Sequence, residues 1–216
     1  MSKPIVVNLT GAPGAGKSTG AAYVFSELKQ RGINCELVNE FAKDKTWEHN
    51  TVALSCQEYL FGKQSYKLAR CRNEVDVIIT DSPLPLSIIY NNNPATILSF
   101  PALVMDIYNT YDNISFFIKR VKPYNPKGRN QSEEESDTLS TKIHKLYNDL
   151  NIEYECVDGD IAGYKHIVEC VCKKITGVKN TLEDYRTCQN CKRGFYNDFI
   201  SCASCHDLSN WEGEDS

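Results

Sequence analysis

The segment PIVVNL (residues 4–9) runs into Gly11-Ala12-Pro13-Gly14-Ala15-Gly16-Lys17-Ser18-Thr19. It then passes without a break into KSTGAAYVFSELKQR (17–31), which stops at Gly32. The first piece reads as a buried strand and the last as a helix closed by glycine. Between them lies the full pattern G-x-x-x-x-G-K-[ST]. Glycines let such a turn aim several backbone N–H groups at one anion, and the helix points its positive end at the same place. A buried strand, a phosphate-sized turn and a helix in immediate succession confine the chain to an α/β architecture with its ligand at a strand's C-terminal end.

The rest of the chain keeps the alternation. Strands are expected at 33–39, 75–80, 114–120 and 152–157, and helices at 50–73, 95–111 around Pro101, 132–150 and 161–177. Residues 41–49 read as a polar turn, and Ser132 with Glu135 has the spacing of a capping box. A strand–helix alternation of this kind gives a mostly parallel sheet with helices on both faces and right-handed crossovers.

Within the motif, Gly11 to Thr19 is the expected ATP-binding loop. Lys17 reaches the β- and γ-phosphates, and Ser18 offers its hydroxyl to Mg²⁺. VDVIITDSP ends a buried strand on Asp81, where an acid holds the Mg²⁺ shell; the alternative role for Asp81 is a helix N-cap. Ser82 and Pro83 follow, not the glutamate with which motor ATPases activate water. That favours transfer to an acceptor hydroxyl over hydrolysis. Glu40 closes the second strand and is the candidate to orient or deprotonate that hydroxyl, with Asp44 a weaker one. Arg120 and Arg129, in a loop with Lys122 and Lys127, are expected to close over the nucleotide and neutralise the moving phosphoryl group. Trp47, Gln57, Tyr59, Gln64, Arg70 and Arg72 are residue types that stack on or read a base, although a core or surface role is the expected reading for most of them.

Ten cysteines are present. Cys35, Cys56, Cys71, Cys156, Cys170 and Cys172 are scattered and read as buried free thiols. Cys188, Cys191, Cys202 and Cys205 form two C-x-x-C pairs, matching a tetrahedral Zn²⁺ site whose metal would staple a module too small for its own core. His206 is an alternative ligand. The expected organisation is therefore 1–177 as the nucleotide-binding domain, 178–187 as a linker, 188–206 as a zinc ribbon and 207–216 as an acidic tail. Lys192, Arg193, Phe195 and Tyr196 on the ribbon suit a nucleic-acid strand, with a protein partner or a structural flap as alternatives. A net charge of −4 gives no general attraction to nucleic acid, so any such contact rests on a local patch. No apolar run long enough to span a membrane and no secretion signal is seen, which points to a cytoplasmic protein, host cytoplasm if viral. Nothing in the sequence sets an oligomeric state.

GAPGAGKST, LVNEFAKD, VIITDSPL and the KPYNPKGR loop before an acidic helix start resemble the AAA-type kinases related to the ribosylnicotinamide kinase domain of NadR, in particular their virus-encoded branch. More distantly, the glutamate ending strand 2 resembles that of deoxynucleoside kinases. The resemblance covers residues 4–176. It implies strand order 2-3-1-4-5, ATP·Mg²⁺ as phosphoryl donor and a nucleoside-type hydroxyl as acceptor. Lys17 and Ser18 would hold phosphate and metal, Glu40 and Asp81 would serve acceptor and metal, and Arg120 or Arg129 the lid. Deoxynucleoside kinases carry Glu-Arg-Ser where this chain has Asp81-Ser82-Pro83, so their arginine has no counterpart here. That counts against a free-nucleoside substrate, and resemblance to viral P-loop kinases of base-modification systems, with the ribbon, tilts the expected acceptor toward a 5-hydroxymethylpyrimidine within DNA. A free nucleoside or nicotinamide riboside is the alternative, and a nucleotide-sensing adaptor the alternative outside catalysis.

Overall fold

β-branched and apolar side chains fill both faces of the central strand, β1 (Ile5–Thr10), so it can lie only in the middle of a covered sheet. A computed structural model describes residues 3–124 and 132–176. The chain divides into two compact units, residues 1–172 and 173–216, and the described residues belong almost wholly to the first.

After β1 come α1 (Lys17–Gln30), β2 (Cys35–Val38), α2 (Phe41–Trp47), α3 (Thr51–Ser55), α4 (Gln57–Ala69) and β3 (Val77–Thr80). The second half holds α5 (Leu86–Tyr90), α6 (Phe100–Tyr108), β4 (Asp112–Lys119), α7 (Glu133–Asp149), β5 (Glu155–Asp158) and α8 (Ile161–Ile175). All four strand pairings are parallel and the order is β2-β3-β1-β4-β5, as the family resemblance implies. Asn8 lies level with Thr80 and Ser115, so β3 ends at that level while β1 runs on to Thr10 and β4 to Lys119 in the same direction.

The period-2 alternation of β1 splits the core in two. Val6, Ile78 and Phe117 face Phe61 and Leu68 of α4, Phe100 and Val104 of α6, and Ile143 and Tyr147 of α7. Each such side chain, fully removed from water, contributes about 1.5–3 kcal/mol. The opposite face, with Leu9, is covered by α1 and α8. Gly20 has no side chain because a Cβ would stand 2.6 Å from the Tyr164 ring and 3.1 Å from Leu9. The edge strand β5 leaves Glu155, Cys156 and Asp158 exposed, and Lys119 pairs with Asp158 at 2.9 Å. Charges on an open edge oppose strand-to-strand aggregation.

Several elements differ from expectation. The polar turn after Glu40 is a helix, α2. The long helix expected at 50–73 is two, because Asn50 caps α3 through the Ala53 N–H and Cys56 is extended (φ −104°, ψ 91°). That break turns Leu54 and Gln57 toward one crevice. The helix expected from 95 begins at Phe100, with Pro101 in its first turn, where a missing N–H costs nothing. The capping box is present in both directions: Glu135 N–H donates to Ser132 Oγ (3.2 Å), and Ser132 N–H to Glu135 Oε2 (2.7 Å). The six scattered cysteines are not all buried. Cys35 and Cys71 are, Cys56 and Cys156 are exposed, and Cys170 and Cys172 are half-buried. Cys56 sits at the helix break and Cys156 on an edge strand, where tertiary placement outweighs the residue's preference for the core. No helix among the described residues is long and apolar enough to cross a membrane.

Candidate active site

β1 ends at Thr10, and the next residues curl back over its C-terminal end. Gly11, Gly14 and Gly16 take φ of 139°, 86° and 101°. Gly16 is under a second constraint, since a Cβ there would stand 2.5 Å from the Tyr164 hydroxyl. That hydroxyl donates to the Gly16 carbonyl at 3.0 Å. The start of α1 has no side-chain cap, so its first amides depend on something other than a cap, which is the condition for anion capture at a helix N-terminus. Lys17 Nζ donates to the carbonyls of Gly11 (2.8 Å) and Ala12 (3.1 Å), bridging the start of the loop.

Asp81 follows β3 directly and is only 3% exposed. Its two oxygens have different partners. Ser18 Oγ donates to Oδ2 at 2.5 Å, and the Glu40 N–H donates to Oδ1 at 3.0 Å. One carboxylate thus joins the phosphate loop to the end of β2. The alternative reading of Asp81 as a helix N-cap does not hold, because the next helix begins at Leu86 with Pro85 at its N-cap.

Glu40 occupies the N-cap position of α2, yet its side chain makes no capping bond and lines the crevice. The crevice has a volume of about 540 Å³ and also takes in Gly11, Lys17, Ser18 and Asp81. This is within the range of small-molecule sites. Tyr90 stands at its edge, 45% exposed. Burial of its ring region, and secondarily the Glu40 charge, push its hydroxyl up to about 12, so it stays a neutral hydrogen-bonding group at physiological pH.

Of the base-reading candidates, Trp47, Gln57 and Gln64 line this crevice. Gln64 is already committed. Its Oε1 accepts from the Phe41 N–H at 2.9 Å and its Nε2 reaches Thr80 Oγ1 at 3.5 Å. Trp47 is 62% exposed at the mouth. Tyr59 packs edge-on against Phe41, and Arg72 stacks on Tyr111. Neither these nor the exposed Arg70 lines the crevice, and Asp44 instead meets Lys67 at 3.9 Å. Sequence reasoning missed Lys43, Thr46, Ser87 and Tyr90, all of which line the crevice. A signal existed for the first two. Lys43, Thr46 and Trp47 recur at i, i+3 and i+4, one face of a helix, in a segment taken for a turn.

Arg120, expected for the lid, lies on the other side of the loop. Arg120 pairs with Asp137 (2.6 Å) and Glu133 (3.2 Å) of α7 and stands over the Tyr124 ring. Its Nη1 has no hydrogen-bond partner among the described residues. A Cβ on Gly14 would come within 3.9 Å of Arg120 Cδ, so the side chain borders the phosphate loop without lining the crevice. α7 is tied to that loop by Ser136, whose hydroxyl donates to the Pro13 carbonyl at 2.8 Å. Arg129 and the four C-x-x-C cysteines, Cys188, Cys191, Cys202 and Cys205, lie outside the described residues, as do the linker and tail.

The AAA domain family profile matches residues 6–163, most of the chain and every element of the crevice. The chain belongs to the AAA domain family. Its fold is shared with NadR in complex with NR (TM-score 0.64, 16% identity, covering 82% of this chain and 53% of that one). NadR in complex with NAD and AMP-PNP gives 0.60 at 13% identity, over 82% and 51%. The chain thus spans about half the length of the NadR chains it matches. Deoxyadenosine kinase from M. mycoides with bound dATP superposes at 0.49, with 18% identity, over 79% and 99%. Among curated proteins, none matches the chain by sequence.

Proposed function

We propose that this AAA-family protein is a kinase that moves the γ-phosphoryl group of ATP to a hydroxyl of a nucleoside-type acceptor. The observation that carries the reading is the pair of bonds to Asp81. Through them the loop that would hold phosphate and the carboxylate that would face an acceptor, Glu40, share one anchor in one crevice.

In this reading the glycine-rich loop and the N-terminus of α1 bind the phosphates. Lys17 leaves the Gly11 and Ala12 carbonyls for the β- and γ-phosphate oxygens. Ser18 and Asp81 fit a hard divalent cation, being a hydroxyl and a carboxylate side by side. Mg²⁺ held there would supply charge neutralisation to the nucleotide's phosphates. Glu40 takes the acceptor's proton as its oxygen bonds to the γ-phosphorus and the bond to the β,γ-bridging oxygen breaks, leaving ADP. Arg120, and Arg129 from the lid loop, would then meet the transferring group. No carboxylate follows Asp81 to activate water, which favours the alcohol as acceptor. The ligands named for the NadR complexes, NR among them, are in keeping with a nucleoside-type acceptor.

The acceptor we favour is a 5-hydroxymethylpyrimidine in DNA, with the C-terminal cysteine pairs holding Zn²⁺ in a ribbon that helps present it. The experiment is transfer from γ-labelled ATP to DNA carrying 5-hydroxymethylpyrimidines, to plain DNA and to a nucleoside panel that includes nicotinamide riboside. Label on modified DNA alone is the expected result. Label only on small molecules moves the acceptor to free nucleosides. Tight nucleotide binding with no labelled product at all overturns the kinase and leaves an adaptor.

A further inference from the structure

Outside the crevice, β5 and α8 bring three metal-binding side chains together. Glu155 opens β5, and His166 and Cys170 lie one turn apart on α8. Glu155 Oε1 stands 2.6 Å from His166 Nε2, and Cys170 Sγ stands 3.4 Å from the same nitrogen. The three ligand atoms all fall within 4.8 Å of one another, and this is the one such group among the described residues.

The geometry excludes a thiol relay. In a Cys–His–carboxylate relay the carboxylate holds Nδ1 and the thiol faces Nε2. Here both approach Nε2, which carries a single proton or a single lone pair and cannot serve two partners at full strength. A cation between the three atoms serves them all. Tetrahedral zinc, with bonds near 2.0–2.1 Å to nitrogen and 2.3 Å to sulfur, spaces those two ligands about 3.5 Å apart, close to the observed separation. Its nitrogen and carboxylate oxygen would sit about 3.4 Å apart. Glu155 must therefore draw back by under an ångström, which its 53% exposed side chain allows.

We propose that Glu155, His166 and Cys170 form a second metal site, for a late first-row divalent ion with zinc preferred by the imidazole–thiolate–carboxylate set. It shares no residue with the Ser18–Asp81 pair or with the C-terminal cysteine pairs. The ion fastens α8 to the sheet's edge strand. Tyr164, two residues before His166, bonds the Gly16 carbonyl, so the fastening supports the wall of the phosphate loop.

The test uses the full-length chain and its Cys170→Ser, His166→Ala and Glu155→Gln variants, each loaded with Co²⁺ under reducing, anaerobic conditions and desalted. Metal content and visible absorption are read. The C-terminal cysteines are intact in every sample, so their metal is common to all. Wild type should retain one more Co²⁺ per chain than Cys170→Ser or His166→Ala, and lose part of its thiolate-to-cobalt band in Cys170→Ser. Zn²⁺ should raise the melting temperature of wild type more than that of either variant. Should one variant fail to fold, the other and Glu155→Gln decide. Equal metal content and equal Zn²⁺ response in wild type and the folded variants overturn the site. None of these readings depends on phosphoryl transfer, so their failure leaves the kinase reading standing, and the reverse holds.

Discussion

Asp81→Asn separates what holds the crevice together from what makes it work. Asparagine has nearly the same shape, and Asp81 is 3% exposed with two partners at 2.5 and 3.0 Å. The natural solution for the amide is to keep its oxygen on the Glu40 N–H and turn its NH₂ toward Ser18, whose hydroxyl then accepts where it had donated. Both contacts survive, so the fold should lose no more than about 1 kcal/mol. The chemistry does not survive. If Ser18 and Asp81 hold Mg²⁺ as proposed, the NH₂ occupies a lone pair of Ser18 that the metal needs, and a negative charge beside it is gone. A hydrogen bond to a charged group is worth about 1.5–3 kcal/mol, which corresponds to roughly 10- to 150-fold. The variant should need that much more Mg²⁺ for half-maximal binding of a fluorescent ATP analogue, with a melting temperature within a few degrees of wild type. The assay is nucleotide titration at a series of Mg²⁺ concentrations. A Mg²⁺ dependence identical to wild type in a folded variant would show that Asp81 is only a structural anchor, and the reasoning fails.

Glu40→Gln should leave ATP·Mg²⁺ affinity unchanged, while transfer to the acceptor falls by roughly 10²–10⁴-fold, the usual weight of a general base. Steady-state rates set against nucleotide binding check this, and a parallel loss of binding would place Glu40 on the nucleotide. Gly16→Ala forces an L-residue to φ near 101° and sets a Cβ against the Tyr164 hydroxyl. It should destabilise by about 1–3 kcal/mol from the backbone alone. Thermal melts of Gly16→Ala with and without Tyr164→Phe should show partial recovery, because the second change removes only the clash. Tyr90 has its pKa raised from 10.0 to about 12, so its contribution to stability is full below about pH 10 and is lost as pH rises through about 12. Tyrosinate absorbance of wild type minus Tyr90→Phe should therefore appear only at the alkaline end. A difference signal below pH 10 contradicts the burial argument.

The fold was legible where its causes are local. The capping box of α7, Gly32 closing α1 and the β-branched runs of β1 and β3 all act within a few residues, and each element stands where its residues put it. The helices around the crevice were less so. α2 hid in a polar stretch and the 50–73 helix broke at Cys56, because crevice-lining side chains, including Glu40, Lys43, Leu54 and Gln57, answer to the crevice and not to a continuous periodicity.

The sequence by itself determined the phosphate loop, since all its requirements lie within nine contiguous residues whose glycines and lysine act through their own backbone. It also determined that strands and helices alternate. Only the tertiary structure decided that Glu40 and Asp81, 41 residues apart, share a hydrogen bond, that Tyr90 joins them, and that Glu155, His166 and Cys170 converge. The physical reason is that strand order and register set which strand ends are neighbours, and these depend on how whole helices cover the sheet, a property no single window of residues contains.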